Sequence, residues 1–344
     1  MINNYEIYLK GIKKVLSKNT FPELKNKTIL VTGINGMIAS AIIDILNYLN
    51  EYENYEINLI GIVRNKNNLL ERFKNIKNLE ILEQDITKPI TLKKDIDYII
   101  NAASNADPSK FATDPVGTIE TNFIGTKNLL DFAKNNNCRR LLYVSSGEIY
   151  GQGSIDTLAF DENYRGFIDS TNPRSCYPIG KLSAETLCVS YAKQYTLEVV
   201  IARPSHTYGP TQKITDSRAS SQFITDVING KDIIMKSEGK QIRSYTYVLD
   251  CATGILKILL SGNNSEAYNI ANKDSVLSIK EMAENIANAN NKKIIFELPT
   301  ETEKASYNPV TRSVLDGSKL ESIGWIPLYT FKEGIKETIE VLKK

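Results

Sequence analysis

The chain has 344 residues, a formal net charge of +2, 42% hydrophobic and 24% charged residues, which describes an ordinary globular protein able to bury a sizeable core. Near-neutral charge in short single-sign runs argues against a nucleic-acid footprint or a polybasic membrane anchor, and no apolar run reaches spanning length. Met1-Ile2-Asn3-Asn4 does not begin a signal peptide, and Cys138, Cys176, Cys188 and Cys251 lack C-x-x-C spacing. The expectation is therefore a cytoplasmic, reducing setting, with buried thiols and neither zinc nor a disulfide framework.

Residues 5–17 carry Tyr5, Ile7, Tyr8, Ile12, Val15 and Leu16 at roughly helical spacing, which predicts a helical extension over 1–27, serving as a packing arm or a dimer contact. Thr28-Ile29-Leu30-Val31-Thr32 reads as a buried strand, followed by the loop 33–40 and a helix over Ala41–Leu49. Further strands at Ile57–Val63, Leu79–Glu83, Tyr98–Ala102, Arg140–Val144 and Glu198–Ala202 alternate with helices at Thr118–Lys134 and Lys181–Tyr195. This alternation predicts an α/β fold, a Rossmann-type doubly wound parallel sheet. After Arg203 the pattern loosens into Pro204-Ser205-His206-Thr207-Tyr208-Gly209-Pro210, whose turn residues mark a break. Helices at Gln222–Asn229, Ser278–Ala289 and Phe331–Leu342, with short strands at Tyr268–Ile270 and Lys293–Glu297, predict a smaller C-terminal α/β substrate lobe. The boundaries are 28–204 and about 245–262 for the dinucleotide-binding domain, because Thr246–Leu260 can return to the sheet, and about 205–244 and 263–344 for the lobe.

Gly33-Ile34-Asn35-Gly36-Met37-Ile38-Ala39 is a G-x-x-G-x-x-A loop between a strand and a helix, where backbone can approach a pyrophosphate at the helix N-terminus. Gly33, Asn35, Gly36, Met37 and Ile38 are its cofactor-binding candidates. An acidic residue ending the second strand would bind the ribose 2′-hydroxyl of NAD, but that strand ends Val63-Arg64, and Arg64 leans towards the 2′-phosphate of NADP. Both cofactors stay open, with Asp85 and Ile86 expected beside the adenine. Ser145-Ser146-Gly147-Glu148 sets two hydroxyls and a carboxylate just after a strand, where open α/β sheets build their sites. Tyr177 and Lys181 stand one helical turn apart, so an ammonium can favour a phenolate able to take a proton from a hydroxyl. His206 is the only histidine, leaving Tyr, Lys, Glu and Asp as the main proton-transfer groups.

Together, the glycine loop, the serine run and the Tyr–Lys pair resemble the extended short-chain dehydrogenase/reductase family, in its nucleotide-sugar epimerase, dehydratase and decarboxylase branch, over essentially the whole chain from residue 28. Asn101-Ala102-Ala103-Ser104 resembles that family's A-A-x motif and Asn122-Phe123-Ile124-Gly125-Thr126 its N-x-x-G-T segment, which implies cofactor contacts at Ala102, Ala103, Ser104, Asn122 and Pro204. Arg203 to Pro210 resembles its R-x-x-N-x-Y-G-P run, with His206 in the usual Asn position. The resemblance implies a nucleotide-diphosphate sugar as substrate, contacted by Ser104, Ser146, Gly147, Glu148, His206, Arg218 and Arg243, with the two arginines clamping the diphosphate and no metal. It implies Tyr177 as the base at the C4 hydroxyl, Lys181 as its modulator and Ser146 as an orienting donor. It also implies a homodimer packed through Thr118–Lys134 and Leu182–Tyr195. The 4,6-dehydratases of this branch read Thr-Asp-Glu where this chain reads Ser146-Gly147-Glu148, so Glu148 can serve at C5 but an acid for the C6 hydroxyl is missing. Epimerisation or decarboxylation through a 4-keto sugar is expected ahead of dehydration. A net NADPH-dependent reductase and a silent cofactor-binding scaffold are the alternatives.

Overall fold

Runs such as Leu141–Val144 and Val199–Ala202 present no polar face, and a strand with that pattern is stable only with both faces covered. The computed structural model, which describes residues 2–154, 156–213, 215–300 and 310–343, covers them with helices. The first half runs α1 (Tyr5–Leu16), β1 (Thr28–Thr32), α2 (Met37–Glu53), β2 (Asn58–Val63), β3 (Leu79–Glu83), β4 (Tyr98–Asn101), α3 (Pro108–Thr113), α4 (Pro115–Asn135), β5 (Arg140–Val144), α5 (Cys176–Tyr195) and β6 (Val199–Pro204). The second runs β7 (His206–Tyr208), α6 (Ala219–Ile228), β8 (Ile233–Met235), β9 (Ile242–Tyr247), α7 (Val248–Ser261), β10 (Ala267–Ile270), β11 (Val276–Ser278), α8 (Ile279–Asn288), β12 (Ile294–Phe296), β13 (Arg312–Ser313), α9 (Ser318–Ser322) and α10 (Phe331–Leu342). Among the described residues, seven parallel strands form one sheet in the order β10-β6-β5-β4-β1-β2-β3, so the order reverses beside β1 and opens a crevice at the carboxyl ends of β1 and β4.

Several elements depart from expectation. The strand at Tyr268–Ile270, assigned to the smaller lobe, is the edge of the main sheet, with Ala267–Ile270 pairing Ile201–Pro204. Segment 246–260, expected to return to the sheet, does so as α7, a helix laid on α2, β5 and β6. The stretch after Arg203 is also more regular than its turn residues suggest, since β6 continues through Pro204 and His206–Tyr208 pairs in parallel with Tyr245–Tyr247. β9 further pairs β11 and β13, and β8 pairs β12, so the C-terminal lobe is built on a pair of small sheets. Residues 301–309 of the expected lobe lie outside the described residues.

The N-terminal helix packs on its own chain: Tyr8, Ile12 and Val15 are fully buried where α1 meets α2, α7 and α10. Its Tyr8 hydroxyl donates to Asp44 of α2 at 2.9 Å, and Arg72 forks onto the same carboxylate. All four cysteines are free and buried, and no helix among the described residues is long and apolar enough to cross a membrane.

Candidate active site

The glycine loop forms as the sequence requires. Gly33 sits at φ 68°, and a Cβ there would stand 2.8 Å from the Ala103 backbone, so only glycine permits this approach of β1 to β4. The helix expected from Ala41 begins earlier, at Met37, directly after Gly36, because the apolar run Met37–Ile43 can start turning as soon as the loop ends. No side chain caps it, so its first N–H groups are open to an anion. Thr32 holds the floor: its hydroxyl donates to Asn101 at 2.9 Å and accepts from the N–H groups of Ala102 and Ala103. Asn101 in turn donates to Thr126 of α4. Together these features fit a dinucleotide.

A cleft of about 230 Å³ opens along this floor, bringing together Gly33, Asn35, Gly36, Arg64, Asp85, Ile86, Ala102, Ala103 and Ser104. Asn35 is anchored by the Leu70 N–H, and Ser104 donates to Asn122, itself bonded to the Thr118 carbonyl. Arg64 stands exposed at the rim with no ion pair among the described residues. Asp85, expected to face the adenine, spends one carboxylate oxygen on its own turn, accepting from the Thr87 N–H and hydroxyl at 2.9 Å each. Met37, Ile38, Asn122, Tyr177, Lys181 and Pro204 stand outside this lining. The side chain of Met37 is buried, and its carbonyl accepts from Thr211.

The catalytic candidates Ser146, Glu148, Tyr177 and Lys181 lie outside the cleft lining. Ser146 caps the short turn Gly147–Tyr150, accepting from the Glu148 N–H at 3.1 Å, and its hydroxyl favours the ionised form of the Tyr177 phenol. Tyr177 lies in the first turn of α5 with its ring stacked on Phe111 at 4.7 Å between centroids. The expected depression of the Tyr177 phenol is not found in the chain by itself: burial, reinforced by Glu148, pushes it up to about 12, while Ser146 and Arg218 pull the other way. Lys181 does not offset this burial. Its Nζ donates to the Val144 carbonyl at 2.7 Å and lies 5.8 Å from the centre of the Tyr177 ring, and burial brings its own pKa down to about 7.

On the substrate side, a Cβ at Gly147 would meet Leu315 Cδ1, reaching over from the C-terminal lobe, at 2.9 Å and the Pro204 carbonyl at 3.4 Å. Glu148 faces Arg174 at 3.4 Å. His206 lies beside Tyr245, and burial with the nearby Arg243 and Arg218 lowers its pKa to about 3, so its imidazole is neutral. The expected pair of clamp arginines is unequal. Arg218 is forked onto Asp216, whereas Arg243 is buried with its guanidinium on the Ile242 and Val310 carbonyls, and among the described residues Glu148 is the carboxylate that acts on it.

Sequence reasoning missed Arg174, Phe111 and Leu315. Arg174 had a local signal, an arginine three residues before the key tyrosine on a turn capped by Asn172. Phe111 and Leu315 had none, since both arrive from distant segments. It also missed that Arg203 is structural: its guanidinium forks onto Glu185 of α5 and donates to Tyr150, joining the lysine helix to β6.

A family model described as NAD dependent epimerase/dehydratase family matches residues 29–271. UDP-glucuronic acid decarboxylase 3 of Arabidopsis thaliana is 33% identical over 90% of this chain and 87% of its own length. UDP-glucuronic acid decarboxylase 1 of Xenopus tropicalis is 30% identical over 94% and 73%. Among solved structures, dTDP-glucose 4,6-dehydratase from Bacillus anthracis, in complex with NAD, superimposes with a TM-score of 0.76 at 26% identity, covering 91% of this chain and 96% of that one.

Proposed function

The chain belongs to the NAD-dependent epimerase/dehydratase family and is an enzyme that modifies nucleotide sugars through oxidation at C4, and we propose that it decarboxylates a UDP-hexuronate without net redox change. One observation carries this choice of second step. Gly147 supplies no acid for 6-deoxygenation and Leu315 Cδ1 lies against the position where its side chain would begin, whereas loss of carbon dioxide needs no such acid.

A bound nicotinamide dinucleotide supplies the hydride acceptor at C4 and later the donor. The residues do the rest. Ser146 and Tyr177, whose hydroxyls act on one another, hold the C4 oxygen, and Tyr177 takes its proton. Burial opposes this, so a positive charge must come to the phenol, and Lys181 supplies it by remaining protonated and turning from Val144. With C4 a ketone, a C6 carboxylate belongs to a β-keto acid, and Glu148 stands at the C5 side. His206, neutral and therefore able both to donate and to accept, meets the sugar, while Arg243 and Arg218 meet the diphosphate.

The cofactor is proposed to be NADP, because Arg64 borders the cleft where no acidic side chain ends β2. The same residue favours the second reading, a net reductase. Four buried free thiols support a reducing compartment, here the cytoplasm. The exposed side chains of Val116, Ile119 and Phe123 on α4 support a homodimer.

Incubation with UDP-glucuronate and NADP or NAD is expected to release carbon dioxide and a UDP-pentose with the cofactor unchanged. Tyr177→Phe should lower this rate by about 10²–10⁴-fold. Recovery of an epimer without carbon dioxide, or of one oxidised cofactor per product, would replace decarboxylation with epimerisation or reduction.

A further inference from the structure

Arg174 is the cation around Tyr177 with the most unspent hydrogen-bonding capacity. Arg218 is forked onto Asp216, Arg243 donates to two backbone carbonyls, and Lys181 is held by Val144. The Arg174 side chain makes a single, long contact, Nη1 to Glu148 Oε2 at 3.4 Å, and is one third exposed. Among the described residues its Nε and Nη2 have no hydrogen-bond partner.

Its position is nonetheless firm. Asn172 accepts from the Arg174 N–H at 3.0 Å on the turn Pro173–Ser175 that leads into α5. The guanidinium lies 5.6 Å from the centre of the Phe111 ring, and that ring is the one stacked on Tyr177. Base, aromatic platform and cation are therefore contiguous. Ser146 and Glu148 both act on the Tyr177 phenol, and Arg174 in turn contacts Glu148. If Ser146 and Tyr177 hold the C4 oxygen, Glu148 borders C5 and Arg174 borders the substituent at C6.

We propose that Arg174 is a substrate-binding and specificity-determining residue that recognises a carboxylate at C6 of the sugar, exchanging Glu148 for it on binding. This rests on the decarboxylase reading given above. A guanidinium with free N–H groups matches a carboxylate in a forked geometry, whereas an uncharged hydroxymethyl group gives it no counter-charge. A cation is also required for electrostatic reasons, because a uronate would otherwise meet Glu148 as a second carboxylate. The long Glu148 contact costs little to break. When the C5–C6 bond breaks, its electron pair passes into the enolate across C5 and C4, carbon dioxide leaves uncharged and a proton is added at C5. Arg174 then has no anion at C6 and returns to Glu148, which favours release of the shortened sugar.

The test compares binding of UDP-glucuronate and UDP-glucose to the full chain with cofactor, for wild type, Arg174→Gln and Arg174→Lys. In the wild type UDP-glucuronate is expected to bind more tightly than UDP-glucose. Arg174→Gln should weaken UDP-glucuronate by about ten- to a hundredfold and UDP-glucose by less than about twofold, with Arg174→Lys in between. Equal weakening of both ligands would mark a merely structural arginine, and an unchanged preference for the uronate would show that its carboxylate is read elsewhere. Either result overturns the proposal while wild-type decarboxylation stands. A wild type that neither prefers nor decarboxylates UDP-glucuronate overturns the underlying reading instead.

Discussion

His206 shows how one side chain couples stability to the site. Burial and two arginines hold its folded pKa near 3, so below about pH 6.5 the unfolded chain binds a proton that the folded chain refuses. Its contribution is therefore lost as pH falls, at no more than about 1.4 kcal/mol per pH unit. Asp250 acts in the opposite sense: burial raises its carboxyl to about 7 despite the N–H groups of Leu328 and Tyr329, so the folded state gains a proton first as pH falls. The wild-type curve is thus a difference between the two. His206→Asn isolates one side of it, and its melting temperature should fall less than that of the wild type between pH 7 and 5 in thermal denaturation. Parallel curves would show that His206 is protonated in the folded protein. Asparagine is also the residue that the resembled motif carries there, so the fold should tolerate it.

At the scale of elements, the strands were the most legible, since Leu79–Glu83 and Arg140–Val144 begin and end where apolar, bounded runs predict. The glycine loop and the Tyr–Lys spacing were legible because a backbone requirement and a helical period are written locally. Helix starts were read late. α4 begins at Pro115 because Asp114 caps it, accepting from the Gly117 N–H, and proline suits a first turn that needs no donor. β10 was misplaced because a four-residue strand does not encode its partner; the covering helix α7 delivers it to β6. Phe111 and Leu315 escaped for a related reason: both arrive from distant segments. The Glu185–Arg203 pair belongs to this scale, as it locks α5 onto β6 with both side chains more than nine-tenths buried. Glu185→Leu should cost about 3–5 kcal/mol by leaving Arg203 uncompensated, and Glu185→Leu with Arg203→Met should recover much of that in urea denaturation. Because Glu185 also favours the protonated form of Lys181, the single variant should move the alkaline limb of the pH–rate profile downward. A profile unchanged in shape would separate the two lysine-helix functions.

For the whole molecule, the open question is what covers α4. Its inner face carries the fully buried Leu129 and Leu130, and α5 packs along its length, yet Val116, Ile119 and Phe123 recur at three- and four-residue spacing and remain 67%, 41% and 38% exposed. A two-fold axis beside α4 and α5 would bury this stripe against its own copy, and a self-complementary patch doubles the effect of any substitution within it. The consequence reaches the site, because Asn122, next to Phe123, holds Ser104 at the cofactor cleft while α5 carries Tyr177 and Lys181. Phe123→Glu brings two carboxylates to that axis, and should convert a dimer into a monomer by sedimentation velocity at micromolar concentration. The far-ultraviolet spectrum should stay the same, since the side chain is on the outer face. A variant that sediments as the wild type does would remove the helix pair as the interface. If the monomer forms but retains full turnover, the dimer supports the helices without being needed to hold Asn122, Tyr177 and Lys181 in register.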